Sequence, residues 1–365
     1  MFEIPFERLR SLGLTPPLAR EAALLCDDSD IARPFLARLL EVHRETVRID
    51  DGAPDEGLEK SARILPALAR AGELAVGDWL LVSPDDHGQC WVRARVPPQS
   101  HIARRDADGK RHPVVSNVDT ALLVMGLDDD FNLRRLERYL ALVHGSGVQP
   151  VVVLSKADIA AAQPDLLAHR IDEVQRRVGP QVEVLALDGT VPASVDALAH
   201  HLRPGRTLVM LGSSGAGKST LTNTLLGAAV QDTGAVREHD SRGKHTTTSR
   251  SLHRLPGGAC VIDTPGLRTL RPDVDAATLG ASFADIGALA TRCRFRNCGH
   301  VDEPGCAVRA GVDPDRVRNY QKMLRESRRD TAGPQERRAQ LAVWKARTKA
   351  ARRRGKDEAR ASGSS

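Results

Sequence analysis

The run GSSGAGKS at 212–219 sets three glycines, a lysine and a serine at the spacing that holds a phosphate group. Gly212, Gly215 and Gly217 let backbone N–H groups curl around an anion without side-chain clashes, with Ser213, Ser214 and Ala216 between them. A helix starting near Lys218 would aim the positive end of its dipole at the same anion. Lys218 is expected to reach the β- and γ-phosphates of a nucleotide, and the Ser219 hydroxyl to ligate Mg²⁺, with Thr220 next in the same stretch. A Gly-rich turn that holds nothing is the weaker reading, because an apolar strand pattern precedes the run and a helical pattern follows it.

Downstream, VIDTPG at 261–266 ends another strand pattern. Asp263 is placed to hold the Mg²⁺ shell, and the Gly266 N–H to face a γ-phosphate. Between the two motifs lies REHDSRGKHTTTSR, polar and without apolar periodicity, hence a loop. Thr246 and Thr247 are both candidates to bring a hydroxyl to Mg²⁺ only when the γ-phosphate is present, Thr247 being preferred. His245 can position water, contact phosphate, or simply belong to the loop. The expected catalytic set is therefore Lys218, Thr247, His245, Asp263 and Gly266.

A third motif precedes both. VVVLSKAD ends in Ser155, Lys156, Ala157 and Asp158 after a β-branched run. A carboxylate is acceptor-only, and Asp158 can take the two N–H groups of guanine's N1 and 2-amino edge, which adenine does not offer. The Lys156 stem can cover the base face. Alone this tetrapeptide is common; beside two phosphate motifs it points to GTP and GDP. Finally, Cys293, Cys298, His300 and Cys306 offer three thiolates and an imidazole, a full tetrahedral set for one structural Zn²⁺ with no open position for catalysis. Cys26, Cys90 and Cys260 are scattered, and His112, His200, His201 and His253 read as surface or core residues.

These residues need elements to position them. VDTALLVMGL, VQPVVVLSK, VEVLAL, RTLVMLG and GACVIDTPG read as strands. The segments NLRRLERYLALVHGSG, PDLLAHRIDEVQRRVG, ASVDALAHHL and the stretch after the phosphate loop read as helices between them. Such alternation implies a parallel sheet covered on both faces. Upstream, LARLLEVHRETVRI, GDWLLV and CWVRARV are short strand-like runs separated by turn-rich segments, the signature of a small β-barrel. Beyond about residue 276 only helical patterns and the Cys/His cluster remain.

The 365 residues allow two or three domains, and 41% hydrophobic with 27% charged residues is ordinary for a globular chain. No apolar run reaches membrane-spanning length, and the start MFEIPFERLRSLGL lacks a secretory pattern, so a cytoplasmic location without a membrane partner is expected. The net charge of +6 is placed unevenly: residues 336–360 carry ten Lys/Arg against three Asp/Glu. RNA would explain that tail, and so would plain solvation. With 3% aromatic residues, base stacking has few platforms beyond Trp79 and Trp91, themselves more often core.

The motif order SKAD, GSSGAGKST, RGKHTTT, DTPG resembles the circularly permuted GTPases. A barrel before it, with GDW at 77–79, and CRFRNCGHVDEPGC after it resemble one family in particular, the ribosome small-subunit-dependent RsgA (YjeQ) GTPases, over roughly residues 36–330. The resemblance implies a circularly permuted α/β P-loop GTPase domain, flanked by an N-terminal OB-type β-barrel and a C-terminal α-helical zinc-binding domain. The expected division is an extension at 1–35, barrel at 36–112, GTPase at 113–275, zinc domain at 276–335 and basic tail at 336–365. It also implies a monomer that works on the small ribosomal subunit and its rRNA, hydrolysing GTP with Mg²⁺. Rival readings are a P-loop ATPase or kinase, an RNA-binding assembly factor that uses nucleotide only as a timer, and action on the large subunit or another RNA.

Two departures from the family pattern stand out. Ser155 stands where relatives have Asn, and Leu185-Ala186-Leu187 where a second base-contact loop resembles Ser-Ala. Leu267 follows DTPG where signalling GTPases carry a water-positioning Gln, so hydrolysis is expected to be slow and partner-dependent.

Overall fold

The computed structural model describes residues 3–27, 31–53, 60–72, 74–106, 110–161, 163–228, 250–265 and 271–331. Two helices, α1 (Phe6–Arg10) and α2 (Pro16–Asp27), lead into a closed barrel. Its strands are β1 (Phe35–Val42), β2 (Thr46–Asp50), β3 (Lys60–Ile64), β4 (Trp79–Pro84) and β5 (Cys90–Arg95), with α3 (Pro66–Ala71) between β3 and β4. The order β1-β2-β3-β5-β4, with β4 returning to β1, is that of an OB-type barrel.

Strand β1 reads FLARLLEV with no clean alternation because both of its faces are covered. Ala37 and Leu39 fill the barrel with Val47, Ile49, Leu80, Val82 and Val92. Leu36 and Leu40 join Trp79 and Leu81 in a second core that also holds Leu9, Leu12, Leu18 and the underside of the large sheet. The segment before the barrel, to which the sequence assigns no role, therefore packs between barrel and sheet.

The GDW run is the joint between these two bodies. A side chain at Gly77 would place Cβ 2.2 Å from the Ser116 carbonyl oxygen. Asp78 is fully buried, accepting from Ala75 N at 2.8 Å, Arg95 Nη2 at 2.9 Å and the Ser116 hydroxyl. Trp79 lies under Arg38, which donates to the carbonyls of Leu12 and Asn117 at 3.1 and 2.8 Å and reaches Thr207 Oγ1 at 3.4 Å. Trp91 instead sits on the barrel surface, half-buried, its Nε1 donating to Asp85 and Arg63 stacked above it.

After the barrel come β6 (His101–Arg105) and β7 (Arg111–Ser116), a hairpin, then β8 (Thr120–Gly126), α4 (Leu133–His144), β9 (Gln149–Ser155), α5 (Ala157–Ala161), α6 (Pro164–Val178), β10 (Glu183–Ala186) and α7 (Pro192–Val195). The chain continues through β11 (Thr207–Leu211), α8 (Lys218–Leu226), β12 (Ser251–Arg254) and β13 (Cys260–Asp263). The six-stranded sheet runs β10-β9-β8-β11-β13-β12, parallel except for β12. Its central strands β8 and β11 are buried along their whole length because helices cover both faces: Leu136, Leu140 and Val174 on one side, Val195, Leu198 and Leu221 on the other.

A last short strand, β14 (Arg271–Pro272), pairs with β6. Beyond it α9 (Ala276–Ser282), α10 (Ala284–Ala290), α11 (Ala307–Gly311) and α12 (Pro314–Thr331) gather around Leu279, Phe283, Ile286, Val308, Val317 and Met323. This unit docks on α4 through apolar packing at Ala141 and through charge. Glu137, 2% exposed, accepts from Arg316 Nη1 at 2.7 Å, Asn319 Nδ2 at 2.6 Å and Arg177 Nη1 at 2.8 Å, while Arg138 grips Glu326 with two bonds. No helix among the described residues is long and apolar enough to cross a membrane.

Candidate functional site

The phosphate loop joins β11 to α8 at the carboxyl end of the central strand, where ligands of open α/β sheets bind. Its glycines have separate reasons. A Cβ at Gly212 would stand 2.4 Å from the Val124 carbonyl oxygen of the neighbouring strand, and Gly215 and Gly217 hold φ of +84° and +87°. Ser214 and Gly215 are exposed at the tip, Ser213 and Thr220 are half-buried, and Ala216 is buried. Lys218, 6% exposed, folds back and donates to the carbonyls of Gly212 at 3.1 Å and Ser213 at 2.7 Å. Burial pushes its pKa down, and the charges of Asp263 and Asp130 pull against that. An ammonium held by carbonyl dipoles at a helix start is set to receive an anion.

Asp263 ends β13 beside it and is fully buried. Ser219 Oγ lies 3.4 Å from its Oδ2, while Oδ1 is buried with no hydrogen-bond partner among the described residues. Burial raises its pKa, opposed by Lys218. A buried carboxylate oxygen left without a donor, next to a serine hydroxyl and a phosphate loop, fits a hard divalent cation such as Mg²⁺. Thr264 fixes the strand end by donating to the Met210 carbonyl at 2.6 Å. His245, Thr246, Thr247, Gly266 and Leu267 lie outside the described residues.

The SKAD motif sits two strands away in the sheet and touches the phosphate loop directly. Ser155 donates Oγ–H to the Ala216 carbonyl at 2.6 Å. Lys156 has φ +60°, and its Nζ donates to Asp128 at 2.5 Å. Ala157 N donates to the Leu187 carbonyl at 3.3 Å, and Asp158 is exposed in the first turn of α5, its carboxylate open to a ligand. Leu185 and Ala186 are strand residues paired with Val153 and Leu154, and Leu187 is buried. After them Asp188-Gly189-Thr190 forms a turn whose Gly189 carbonyl accepts from Thr224 Oγ1 of α8 at 2.6 Å.

Sequence reasoning missed the loop after β8. Asp128 neutralises Lys156; burial opposes ionisation of its carboxyl, yet bonds from Lys156 and Asp130 N hold it below the usual range. Asp130 accepts from Ser213 Oγ of the phosphate loop at 2.5 Å and pairs with Arg135. Three consecutive aspartates at a strand end, in the sheet that carries both motifs, were the available signal.

In the helical unit, the ligand atoms of Cys293, Cys298, His300 and Cys306 all lie within 4.8 Å of one another. Cys293 Sγ is 3.9 Å from Cys306 Sγ and 3.7 Å from His300 Nδ1, and Cys306 Sγ is 3.4 Å from the same nitrogen. Tetrahedral Zn²⁺ with Zn–S near 2.3 Å requires S···S of about 3.8 Å, so the cluster fits that ion. His300 reaches it from a left-handed backbone, φ +58°.

A phosphate loop on the central strand, a buried carboxylate at the end of its neighbour and the SKAD motif that precedes both in the chain define a circularly permuted P-loop GTPase. Comparison narrows the class: residues 96–272 match the model of the RsgA GTPase family. The small ribosomal subunit biogenesis GTPase RsgA of Xanthomonas oryzae pv. oryzae strain PXO99A is 44% identical over 331 residues, covering 87% of this chain and 88% of the relative. Its counterpart in Xanthomonas campestris pv. campestris strain B100 is 46% identical over 299 residues, 79% of each chain. The chain belongs to the RsgA GTPase family and is a GTP hydrolase. Its fold is similar to the crystal structure of YjeQ from Thermotoga maritima (TM-score 0.56, 23% identity, 80% of this chain and 98% of that one). It is also similar to YloQ, a circularly permuted GTPase (TM-score 0.50, 22% identity, 82% and 97%).

Proposed function

We propose that this protein acts on the small ribosomal subunit during late assembly, hydrolysing GTP when docked there. Support comes from the relatives' names and from one observation: Lys218, Ser219, Asp263 and the SKAD loop converge at the carboxyl ends of adjacent strands. In this reading Lys218 leaves its carbonyl partners for the β- and γ-phosphates, and the loop amides of 212–219 supply the remaining donors. Ser219 and Asp263 would hold Mg²⁺, which when bound would supply charge neutralisation at the phosphates. Asp158 accepts the guanine N–H pair, and Lys156 exchanges Asp128 for the base and sugar side of the nucleotide.

Thr247 (or Thr246), His245 and Gly266 are assigned to γ-phosphate sensing on their sequence positions. Leu267 cannot orient water, so rapid turnover is assigned to the subunit-bound state. Cys293, Cys298, His300 and Cys306 would hold one structural Zn²⁺ that ties the helical unit together. Around it Arg292, Arg294, Arg296 and Arg309 are exposed, with Arg294 over the exposed Phe295, a cationic face with one stacking ring suited to rRNA. The basic residues of 336–360 extend that character. The protein is assigned to the cytoplasm as a monomer, with the five-part division given above and the barrel–GTPase border in β7. Co-sedimentation with purified small subunits tests the partner: retention with a non-hydrolysable GTP analogue supports it, and equal or preferred retention on large subunits overturns it.

A further inference from the structure

A second constellation of metal-binding side chains lies away from both the nucleotide site and the cysteine cluster. Glu183 opens β10, the edge strand of the six-stranded sheet, and His200 and His201 occupy the turn that leads toward β11. The Nε2 atoms of both histidines face one carboxylate oxygen, Glu183 Oε2, at 3.2 and 2.9 Å. One ligand atom from each of the three residues lies within 4.8 Å of the others, and the two rings lie 3.8 Å apart at 42°.

We propose that Glu183, His200 and His201 form a site for a divalent first-row transition ion. Bonds of about 2.0–2.2 Å to imidazole nitrogen and carboxylate oxygen give N···O edges of about 2.9–3.4 Å, which the two contacts here match. Two neutral imidazoles and one carboxylate suit Zn²⁺, Ni²⁺ or Co²⁺, whereas Mg²⁺ demands oxygen ligands. Among the described residues the Glu183 carboxylate has no Lys or Arg ion-pair partner, so no resident cation competes. His201, 5% exposed on its side chain, holds a fixed position, and His200, 50% exposed, leaves a path for the ion. Three protein ligands leave coordination positions for water. The ion would staple an edge strand to the turn that feeds the phosphate-loop strand. Four residues on from Glu183, Leu187 bonds the backbone of Leu154 and Ala157, so the staple also bears on the base-reading loop.

The test is equilibrium dialysis of the full chain, zinc-loaded at the cysteine cluster, against Co²⁺ in excess Mg²⁺. Zinc outcompetes Co²⁺ at the cluster, and Mg²⁺ occupies the nucleotide site. The expected result is one further equivalent of Co²⁺ without the strong thiolate charge-transfer absorption that a cysteine site would give. Glu183→Gln and His200→Ala should each weaken it at least tenfold while the zinc content stays unchanged. Both substitutions are at half-exposed or exposed positions, and retained zinc reports that the chain is folded. Failure to retain Co²⁺, or equal retention by wild type and both variants, would overturn the proposal. GTP turnover does not enter the readout, so this outcome is separate from the fate of the ribosomal reading.

Discussion

The hydroxyl of Ser155 donates to the carbonyl of Ala216, 2.6 Å away and sixty-one positions on in the chain. The SKAD loop and the phosphate loop are thus joined by one buried bond, and the joint is made by the letter of the motif that departs from the family pattern. Replacing Ser155 with Ala would leave a buried carbonyl without its donor, a loss of about 1–3 kcal/mol. Ser155→Ala is expected to bind GDP several-fold more weakly in a fluorescent-nucleotide titration. Unchanged affinity would show that the loop is held by its backbone alone.

Asp158 is exposed in the first turn of α5, with both oxygens available to a base. Asp158→Asn exchanges one acceptor for a donor, which suits the 2-oxo group of xanthine and not the 2-amino group of guanine. Competition binding should show a fall of at least tenfold for GDP and a gain for XDP. A variant that still prefers GDP would remove Asp158 from the base site, and with it the argument against an ATPase.

Glu137 is the buried centre of the charged contact between α4 and the C-terminal helical unit. Glu137→Ala leaves Arg316, 6% exposed, with Asp285 as its remaining partner and takes a buried acceptor from Arg316 and Asn319, a loss of about 1–3 kcal/mol. Denaturant unfolding should show a loss of that order, with protease cleavage appearing between residues 276 and 331 before the rest of the chain. A change below about 1 kcal/mol would mean that the interface is held by packing rather than by charge.

Purified protein should carry one tightly bound zinc, and Cys298→Ser should abolish it. Because the thiolates tie a small helical unit with a modest core, removing the ion is expected to unfold that unit. Hydrogen exchange in α10 and α11 should rise sharply while β8 and β11 stay protected. Uniform protection after zinc removal would contradict a structural role.

Much of this was legible in the residues. The phosphate loop, Asp263, the SKAD turn and the cysteine cluster have spacings fixed by their chemistry, and each lies where a strand or helix pattern places it. The permutation was legible because motif order is a sequence property, while a parallel sheet depends on strand order in space. What escaped notice depends on partners far along the chain. Arg134, Glu137 and Arg138 have the spacing of a solvated helix face, yet they meet Asp315, Arg316 and Glu326. Asp130 beside Ser213 and Arg38 over the GDW tryptophan likewise pair across 83 and 79 positions. Leu185 and Ala186 end β10 as the VEVLAL pattern implies, and the Leu187 carbonyl that follows accepts from Ala157 N of the SKAD loop.

Turnover of GTP with and without purified small ribosomal subunits tests the central claim most directly. With Leu267 in place of a water-orienting Gln, the isolated protein should turn over slowly, and small subunits should accelerate it tenfold or more while large subunits and ATP do not. Equal rates with and without small subunits would contradict the account.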